Sequence, residues 1–237
     1  MASHFASLFS GSSQPFADRR EAGKELAARL APYRGHPDVV VLALPRGGVP
    51  VAFEIAEALD APLDIFLVRK LGMPGQAEFA IGAIASGGVR VLSEDVIRWH
   101  GIPDSQIESI AREELAELQR REREYRQGRA LTDLRGRTVI LVDDGLATGS
   151  TMRAAVQAVR RHEPSRLVVS VPVGAPETCA ELAALADEIV CARMPEPFSA
   201  VGLWYRDFSQ TTDEEVQTLL REHARHVQAG NLPRPGV

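Results

Sequence analysis

Short apolar runs of strand length alternate with segments of helical periodicity along this chain, and that alternation restricts its fold more than any other feature. The predicted strands cover residues 38–44, 63–68, 138–142, 167–171 and 188–191. The predicted helices lie between them, at about 18–31, 49–59, 150–162 and 176–186. Because the strands are nearly all apolar and rich in β-branched residues, both faces of their sheet should be covered. The pattern predicts an α/β fold with an open, mainly parallel five-stranded sheet flanked by helices, and ligands at the carboxyl ends of the strands.

Two segments interrupt the alternation. Residues 81–92, split by the sequence SGG at 86–88, predict an antiparallel hairpin appended to the sheet. Residues 104–127 predict one long helix, in which Glu and Arg recur at i,i+4 spacing. Its narrow apolar stripe is formed by Ile107, Ile110, Leu115 and Leu118. A solvated outer face is the interpretation that this helix favours over a binding surface.

Composition limits the number of domains and the class of partner. A chain of 237 residues with 45% hydrophobic content can bury one substantial core. We therefore expect a tail at 1–15, one domain at 16–210, and a C-terminal helix and tail at 211–237. The net charge of −5 argues against nucleic-acid and anionic-membrane partners. Cys179 and Cys191 are too few for a disulfide framework and are interpreted as buried small residues in a reducing cytosol, and no signal or membrane-spanning segment is recognised.

The sequence VILVDDGLATGST at 139–151 carries the clearest chemistry. A predicted strand ends in the acid pair Asp143 and Asp144, and a small, hydroxyl-rich turn leads from there into a helix. Such a turn points free backbone N–H groups and the positive end of a helix dipole at one place, which suits a phosphate. The run has neither the Lys of a Walker A loop nor the spacing of a dinucleotide-binding turn. The alternative is that the two acids only cap the strand and the helix.

This run resembles the binding signature for 5-phosphoribosyl 1-pyrophosphate (PRPP) of type I phosphoribosyltransferases. By that resemblance Asp143 and Asp144 hold the ribose 2- and 3-hydroxyls, and the residues from Ala147 to Thr151 wrap the 5-phosphate. The implied PRPP-binding set also includes Gly145, Leu146, Thr148, Gly149 and Ser150. The resemblance further implies a small hood at 193–210, a magnesium-dependent transfer of the phosphoribosyl group to a nucleobase-like acceptor, and a homodimer.

A second segment, LALPRGGVP at 42–50, also follows a predicted strand. Gly47 and Gly48 permit close backbone approach to an anion, and Arg46 supplies a fork of hydrogen-bond donors. In similar enzymes this position is the pyrophosphate loop, which often contains a cis peptide bond that is not before proline. The resemblance therefore implies a cis bond between Pro45 and Arg46. The alternative is an ordinary glycine-rich turn.

A third segment, LVRKLGMPGQAEFAIGAI at 67–84, places Arg69 and Lys70 at the predicted end of the second strand. The polar, Gly-Pro-containing stretch after them is a candidate lid. Orotate phosphoribosyltransferase has Arg-Lys at a similar strand end, although this sequence lacks the second Lys and the His of that enzyme's loop. We predict that Arg69 and Lys70 bind pyrophosphate, and that Lys70 and Arg46 join the acid pair as catalytic residues.

The segment EPFSAVGLWYRDFSQ at 196–210 is rich in aromatic residues and resembles the hood edge of purine-type enzymes. Phe198 would stack on the base, and Val201 and Trp204 would complete the base site. Trp204 replaces the acid that meets magnesium-pyrophosphate in those enzymes, so Asp207 is predicted to join Asp143 and Asp144 as a metal ligand. The small residue Ala147 is typical of orotate and adenine enzymes, which leaves the base unassigned.

Three functions remain open at this point. The sequence favours a cytoplasmic phosphoribosyltransferase, with a non-catalytic PRPP- or nucleotide-binding regulatory protein as the alternative and a sugar-phosphate hydrolase as a weaker third. His223 and His226, at i,i+3 spacing, are interpreted as solvated side chains instead of a zinc pair. Asp18 is predicted to cap the first helix, and the alternative that the Asp18-Arg19-Arg20 run reaches the active site stays open.

Overall fold

The computed structural model describes residues 14–230, which form two β-sheets surrounded by helices. The strands in chain order are β1 Val39–Ala43, β2 Leu63–Ile65, β3 Val68–Met73, β4 Gln76–Ala85, β5 Val89–Leu92, β6 Thr138–Val142, β7 Arg166–Val173 and β8 Glu188–Arg193. The α-helices are α1 Arg19–Arg29, α2 Gly48–Leu59, α3 Glu94–His100, α4 Asp104–Arg126, α5 Ser150–Arg160, α6 Pro176–Ala183 and α7 Asp213–Gly230. Most of the predicted tail at 1–15 and the end of the predicted C-terminal tail lie outside the described residues.

The main sheet has five strands in the order β2-β1-β6-β7-β8, and every neighbouring pair is parallel. This confirms the predicted α/β fold. The central strands β1 and β6 are fully buried because helices cover both faces of the sheet. Val39 and Val41 face a core shared with α1, α2 and α7, whereas Val40 and Leu42 face a core shared with α5 and α6. Alternate side chains of one apolar strand thus supply two cores.

The predicted strand at 63–68 is wrong in its second half. The strand of the main sheet ends at Ile65, and β3 begins at Val68 in a second sheet. Ser86 directs this change, because its side chain accepts a hydrogen bond from the Leu67 N–H at 2.9 Å and its own N–H donates to the Leu67 carbonyl at 2.9 Å. The chain is therefore hydrogen-bonded to the hairpin as soon as it leaves β2.

The predicted hairpin at 81–92 is confirmed as the antiparallel pair β4 and β5. It is not appended to the main sheet, however, because it joins β3 in a separate three-stranded antiparallel sheet of order β3-β4-β5. Lys70 pairs with Ala83 within that sheet. The predicted placement of Arg69 and Lys70 at the end of a main-sheet strand is therefore wrong, since both lie on β3.

The long helix predicted at 104–127 is confirmed as α4. Ile107 and Leu118 of the predicted stripe are buried, and Ile110 and Leu115 are partly buried against the same core. Towards its end α4 buries Arg126, whose side chain is only 4% exposed. The Arg126 guanidinium donates to Asp64 Oδ1 at 2.8 Å, to the Ile65 carbonyl at 2.6 Å and to Glu122 at 2.7 Å. This ion pair fastens the end of α4 to β2.

His223 is buried on α7, and the prediction that both histidines of this helix are solvated is wrong for it. Its spacing from Val216, Leu219 and Leu220 places it on the apolar face that packs against the rest of the fold. The Nδ1 atoms of His223 and His226 lie 2.6 and 2.8 Å from the two carboxylate oxygens of Glu57 on α2. The two histidines therefore help to dock α7 on α2.

Within residues 14–230, no helix is both long and apolar enough to span a bilayer.

Replacing Arg126 with Ala should lower the free energy of unfolding by about 3–5 kcal/mol, because the Asp64 carboxylate would stay buried without its cation. Urea denaturation followed by circular dichroism measures this change. Arg120→Ala is the matched control on the same helix, because its ion pairs with Glu117 and Glu124 are solvent-exposed and should contribute less than about 1 kcal/mol. Equal losses in the two variants would contradict the assignment of Arg126 as the anchor of α4.

Candidate functional site

The acid pair Asp143–Asp144 lies directly after β6, at the carboxyl edge of the main sheet. The loop of Pro45 to Gly48 follows β1 at the same edge, and the register of the two strands pairs Ala43 with Val142. The Leu44 N–H also donates to the Val142 carbonyl at 2.8 Å. The two segments predicted to bind the sugar and the pyrophosphate are therefore side by side. The peptide bond between Pro45 and Arg46 is cis, as the resemblance implied.

Gly47 and Gly48 have no side chain where this loop lies against the acid pair. A Cβ atom at Gly47 would overlap the Asp144 carboxylate. A Cβ atom at Gly48 would lie 2.7 Å from the Val142 carbonyl oxygen and 3.0 Å from the Asp143 Cα. Gly47 has φ −59° and ψ −33°, which any residue can adopt. Its function is therefore to leave room for a neighbouring side chain.

Asp143 and Asp144 are both partly buried. Burial raises the pKa of Asp143 well above its usual range, and the negative charge of Asp144 raises it further. The Asp144 N–H, which donates to Asp143 Oδ1 at 2.9 Å, and the positive charge of Arg19 act in the opposite direction. The two neighbouring carboxylates can accept hydrogen bonds or a cation from a ligand.

The turn from Gly145 to Thr151 is hydrogen-bonded on one side to the end of β7, to the loop after it and to α6. The Leu146 N–H donates to the Val173 carbonyl at 2.8 Å, and the Ala175 N–H donates to the Leu146 carbonyl at 2.9 Å. Thr178 donates its hydroxyl to the Ala147 carbonyl at 2.7 Å. These contacts fix the main chain on one side and leave the other side of the turn available.

The turn ends at the beginning of α5 in a geometry suited to an anion. Gly149 has a left-handed φ of 67°, and a Cβ there would overlap the Thr178 methyl group. Within the described residues, no side chain caps the first turn of α5. Its first N–H groups therefore have no intrahelical partner and no side-chain acceptor. The hydroxyl oxygens of Thr148 and Ser150 lie 3.3 Å apart beside them.

The three cationic residues predicted for the site have different surroundings. Arg46, in the glycine loop, has one terminal guanidinium nitrogen 3.8 Å from Asp213 Oδ1 at the start of α7. Lys70 lines a cavity of about 260 Å³ together with Ser150 and Thr151. Arg69 is paired with Glu114 of α4. Since successive residues of a strand point to opposite faces, β3 brings Lys70 but not Arg69 towards the start of α5.

The predicted hood contacts the site through Val201 and Tyr205. A Cβ at Gly145 would lie 2.5 Å from Val201 Cγ1, so the hood packs directly on the turn after the acid pair. The Tyr205 hydroxyl donates to the Asp144 carbonyl at 2.7 Å. Phe198 and Trp204 are half-buried and pack against the core on the same side of the sheet. Tyr205 was not among the predicted site residues, although its place in the aromatic run was visible in the sequence.

Arg19 is the principal site residue that the prediction did not include. Its Nε donates to Asp144 Oδ2 at 2.8 Å, and both side chains are largely buried. Asp18 caps α1 as predicted, by accepting from the Glu21 N–H at 2.8 Å. The open alternative was that this run reaches the active site. Arg19 contacts the acid pair, whereas Arg20 pairs with Glu54. In the sequence, the one indication that Arg19 could be a site residue was its position next to Asp18, the predicted helix cap.

The donor set for a metal ion consists of carboxylates. Among the described residues there is no group of three or more His, Cys, Asp or Glu side chains that could hold a metal ion. Asp207 Oδ1 accepts from the Ser209 N–H at 2.9 Å, and that bond lowers the pKa of Asp207. Asp207 therefore does not form such a group with Asp143 and Asp144. A cation at the acid pair would take its remaining ligands from water or from a bound substrate.

Comparison with known proteins agrees with this geometry. A family model described as "Phosphoribosyl transferase domain" matches residues 18–201. Two relatives from Mycobacterium tuberculosis, strains CDC 1551 and H37Rv, are each named "Putative phosphoribosyl transferase". Each is 50% identical to this chain over 218 residues. The aligned residues cover 92% of this chain and 49% of each relative. The crystal structure of TT1426 from Thermus thermophilus is 46% identical, with a TM-score of 0.78, and covers 88% of this chain and 99% of that chain. The chain thus spans about half the length of the curated relatives that it matches.

Asp143→Asn should stabilise the fold at neutral pH and have little effect near pH 4. Because the pKa of Asp143 is raised in the folded protein, its ionisation opposes folding once the pH passes the ordinary aspartate pKa of about 4. Asn cannot ionise, and its side-chain carbonyl can still accept from the Asp144 N–H. Urea denaturation at several pH values measures the difference, with the exposed Asp133→Asn as control. A stabilisation that shrinks as the pH rises would contradict the assignment.

Proposed function

The chain belongs to the phosphoribosyl transferase domain family, and we propose that it transfers the 5-phosphoribosyl group of PRPP to a nucleobase-like acceptor with release of pyrophosphate. One observation carries the proposal: the acid pair after β6 packs on the glycine loop after β1, beside the uncapped start of α5. These three features provide partners for a diol, a pyrophosphate and a phosphate within one site. The name of the Mycobacterium tuberculosis relatives supports the same activity.

The ribose 5-phosphate would lie along the turn from Asp143 to Thr151. Asp143 and Asp144 would accept hydrogen bonds from the 2- and 3-hydroxyls. The main-chain N–H groups from Ala147 to Thr151 and the neighbouring hydroxyls would surround the 5-phosphate, which the positive end of α5 also attracts. Gly145 and Leu146 complete the turn, and the hydrogen bonds of Leu146 to the loop after β7 support its shape.

The pyrophosphate would lie over the glycine loop, with Arg46, Gly47 and Gly48 as its partners. The 3.8 Å contact of Arg46 with half-exposed Asp213 is weak enough to be exchanged for a phosphate oxygen. Lys70 lies beside Ser150 and is the stronger of the two β3 candidates. For Arg69 to bind the leaving group, its ion pair with Glu114 would first have to open.

Magnesium suits this donor set, because Mg²⁺ commonly takes one or two protein carboxylates and completes its shell with water and substrate phosphates. Asp143 and Asp144 would hold the ion, and we include Asp207 only as a ligand reached after the hood moves. When bound, the ion would neutralise charge on the pyrophosphate. The chain's own cations, Arg46 and Lys70, would stabilise the negative charge that develops on the leaving group. A cation would also favour the ionised form of the acid pair.

The base would approach from the hood. Phe198 and Trp204 offer aromatic faces, and the Val201 side chain packs on the turn that starts at Gly145. Ala147 brings no acid to the base, so a proton released by the acceptor would have to leave by another group. We further propose that the protein works in the cytoplasm as a homodimer. We also propose that it has no nucleic-acid or membrane partner, which its net charge of −5 supports.

Titration with Mg²⁺-PRPP, followed by an assay of pyrophosphate release with a panel of nucleobases, tests this function. We expect PRPP to bind and pyrophosphate to be released only with a particular acceptor. The double variant Asp143→Asn/Asp144→Asn should weaken PRPP binding by a factor of roughly 100, because each substitution removes one charge-assisted hydrogen bond to the ribose. Asp133→Asn, at an exposed carboxyl, is the matched control.

The outcomes separate the competing functions. Tight PRPP binding without turnover for any base would support the non-catalytic regulatory protein. Turnover with water alone would support a hydrolase. Undiminished PRPP binding by the Asn-Asn variant would contradict the proposed ribose site.

Gly47→Ala should weaken PRPP binding by roughly tenfold or more, because the added methyl group displaces the Asp144 carboxylate from its productive position. It should also destabilise the protein by about 1–3 kcal/mol through overpacking. A double-mutant cycle provides the control: in an Asp144→Ala background the same substitution should cost little stability. Equal costs in both backgrounds would show that Gly47 acts through another contact.

A further inference from the structure

Arg19 links the acid pair to the hood. Its Nε donates to Asp144 Oδ2 at 2.8 Å, and one terminal nitrogen donates to the Ser209 carbonyl at 2.8 Å. Its guanidinium carbon lies 4.1 Å from the centroid of the Phe208 ring. Phe208 in turn stacks on Tyr205, with 5.0 Å between ring centroids and an interplanar angle of 26°. One planar cation therefore contacts both the proposed ribose site and the segment that would cover the base.

Asp144 is held at two points by this arrangement. Arg19 contacts its carboxylate, and the Tyr205 hydroxyl donates to its main-chain carbonyl at 2.7 Å. The exposed fractions of the Arg19 and Asp144 side chains are 11% and 17%, so solvent screens their contact only weakly. A movement of the hood would therefore change the surroundings of Asp144 directly.

Helix stability does not explain a cation at this position. Arg19 is the first residue of α1, where the helix dipole disfavours positive charge. Asp18 and Glu21 already provide the cap and the acidic residue that stabilise this helix end. The favourable interactions of Arg19 are those with Asp144, Phe208 and Ser209, all of which are distant in sequence.

We propose that Arg19 is a positioning residue for the proposed reaction, which orients the Asp144 carboxylate and couples sugar binding at the acid pair to closure of the hood over the base. This inference rests on the proposed function. An arginine suits the role because its rigid, planar guanidinium donates in two directions and stacks flat on an aromatic ring, whereas a lysine ammonium is a compact point charge with no planar face. Arg19 itself need not touch the reacting atoms.

Arg20 is a close internal control. It is the next residue of α1, pairs with the Glu54 carboxylate at 3.1 Å and lies over the Phe53 ring at 5.1 Å. It thus has one carboxylate and one aromatic partner, as Arg19 does, but neither belongs to the acid pair or the hood. Arg19→Gln and Arg20→Gln remove the same charge from the same turn of helix.

The first measurement reports on the hood without any ligand. The chain has two tryptophans, of which Trp99 is 87% exposed on α3 and Trp204 lies in the hood. In a Trp99→Phe background, quenching of Trp204 fluorescence by acrylamide should increase with Arg19→Gln and stay unchanged with Arg20→Gln. Arg19→Lys should not restore protection, because it keeps the charge but loses the planar fork. Far-UV circular dichroism checks that each variant is folded.

The second measurement is titration of the same variants with Mg²⁺-PRPP. Arg19→Gln should weaken binding by roughly tenfold or more, the effect expected for loss of a hydrogen bond to a charged group, and Arg20→Gln should match the parent protein. Equal behaviour of the two Gln variants in both measurements would overturn the inference, as would full rescue by Arg19→Lys in both. If the parent protein bound no PRPP, the proposed function would fail, and the quenching comparison would still decide whether Arg19 ties the hood to Asp144.

Discussion

The packing of the glycine loop after β1 on the acid pair after β6 is the contact on which the rest of the site depends. The two strands are neighbours in the centre of the main sheet, in register from Val39 opposite Thr138 to Ala43 opposite Val142. Their loops begin at the same level and cannot separate without breaking this ladder. Because Gly47 has no side chain, the main chain of one loop sets the position of the Asp144 carboxylate on the other.

Such a site is electrostatically unfavourable without a ligand. Burial and a neighbouring carboxylate both oppose ionisation of Asp143, and within the described residues the compensation comes from one backbone N–H and from Arg19. The start of α5, where the dipole is positive and no described side chain caps the helix, lies close by along the chain. A phosphorylated diol accompanied by a cation would satisfy both groups together. The fold tolerates this arrangement because the sheet beneath it is buried on both faces.

The features that could be predicted from the sequence are those encoded by adjacent residues. The acid pair, its turn and the start of α5 follow from one strand-turn-helix segment, and the resemblance supplied the cis bond before Arg46. Features set by packing could not be predicted. β3 lies outside the main sheet because Ser86 forms two hydrogen bonds with the main chain of Leu67, and no residue from 63 to 68 indicates this in the sequence. The different surroundings of Arg69, which pairs with Glu114, and Lys70, which lines a cavity with Ser150, are set by that second sheet.

The contact of Arg19 with Asp144 stayed only an open alternative in the sequence, because 125 positions separate the two residues. The pairing that joins them is built by the main chain: the Phe16 N–H donates to the Trp204 carbonyl, and the N–H groups of Arg206 and Asp207 donate to residues 16 and 17. The segments around residues 16 and 205 thus lie side by side next to the acid pair. The glycine loop and the turn after the acid pair are instead fixed by the central strands β1 and β6. Under the proposed function, an acceptor base would therefore enter by displacing the hood, and the turn after the acid pair would stay in place. The proposed coupling between the two ligands would then act through Arg19, because this side chain contacts both Asp144 and the hood.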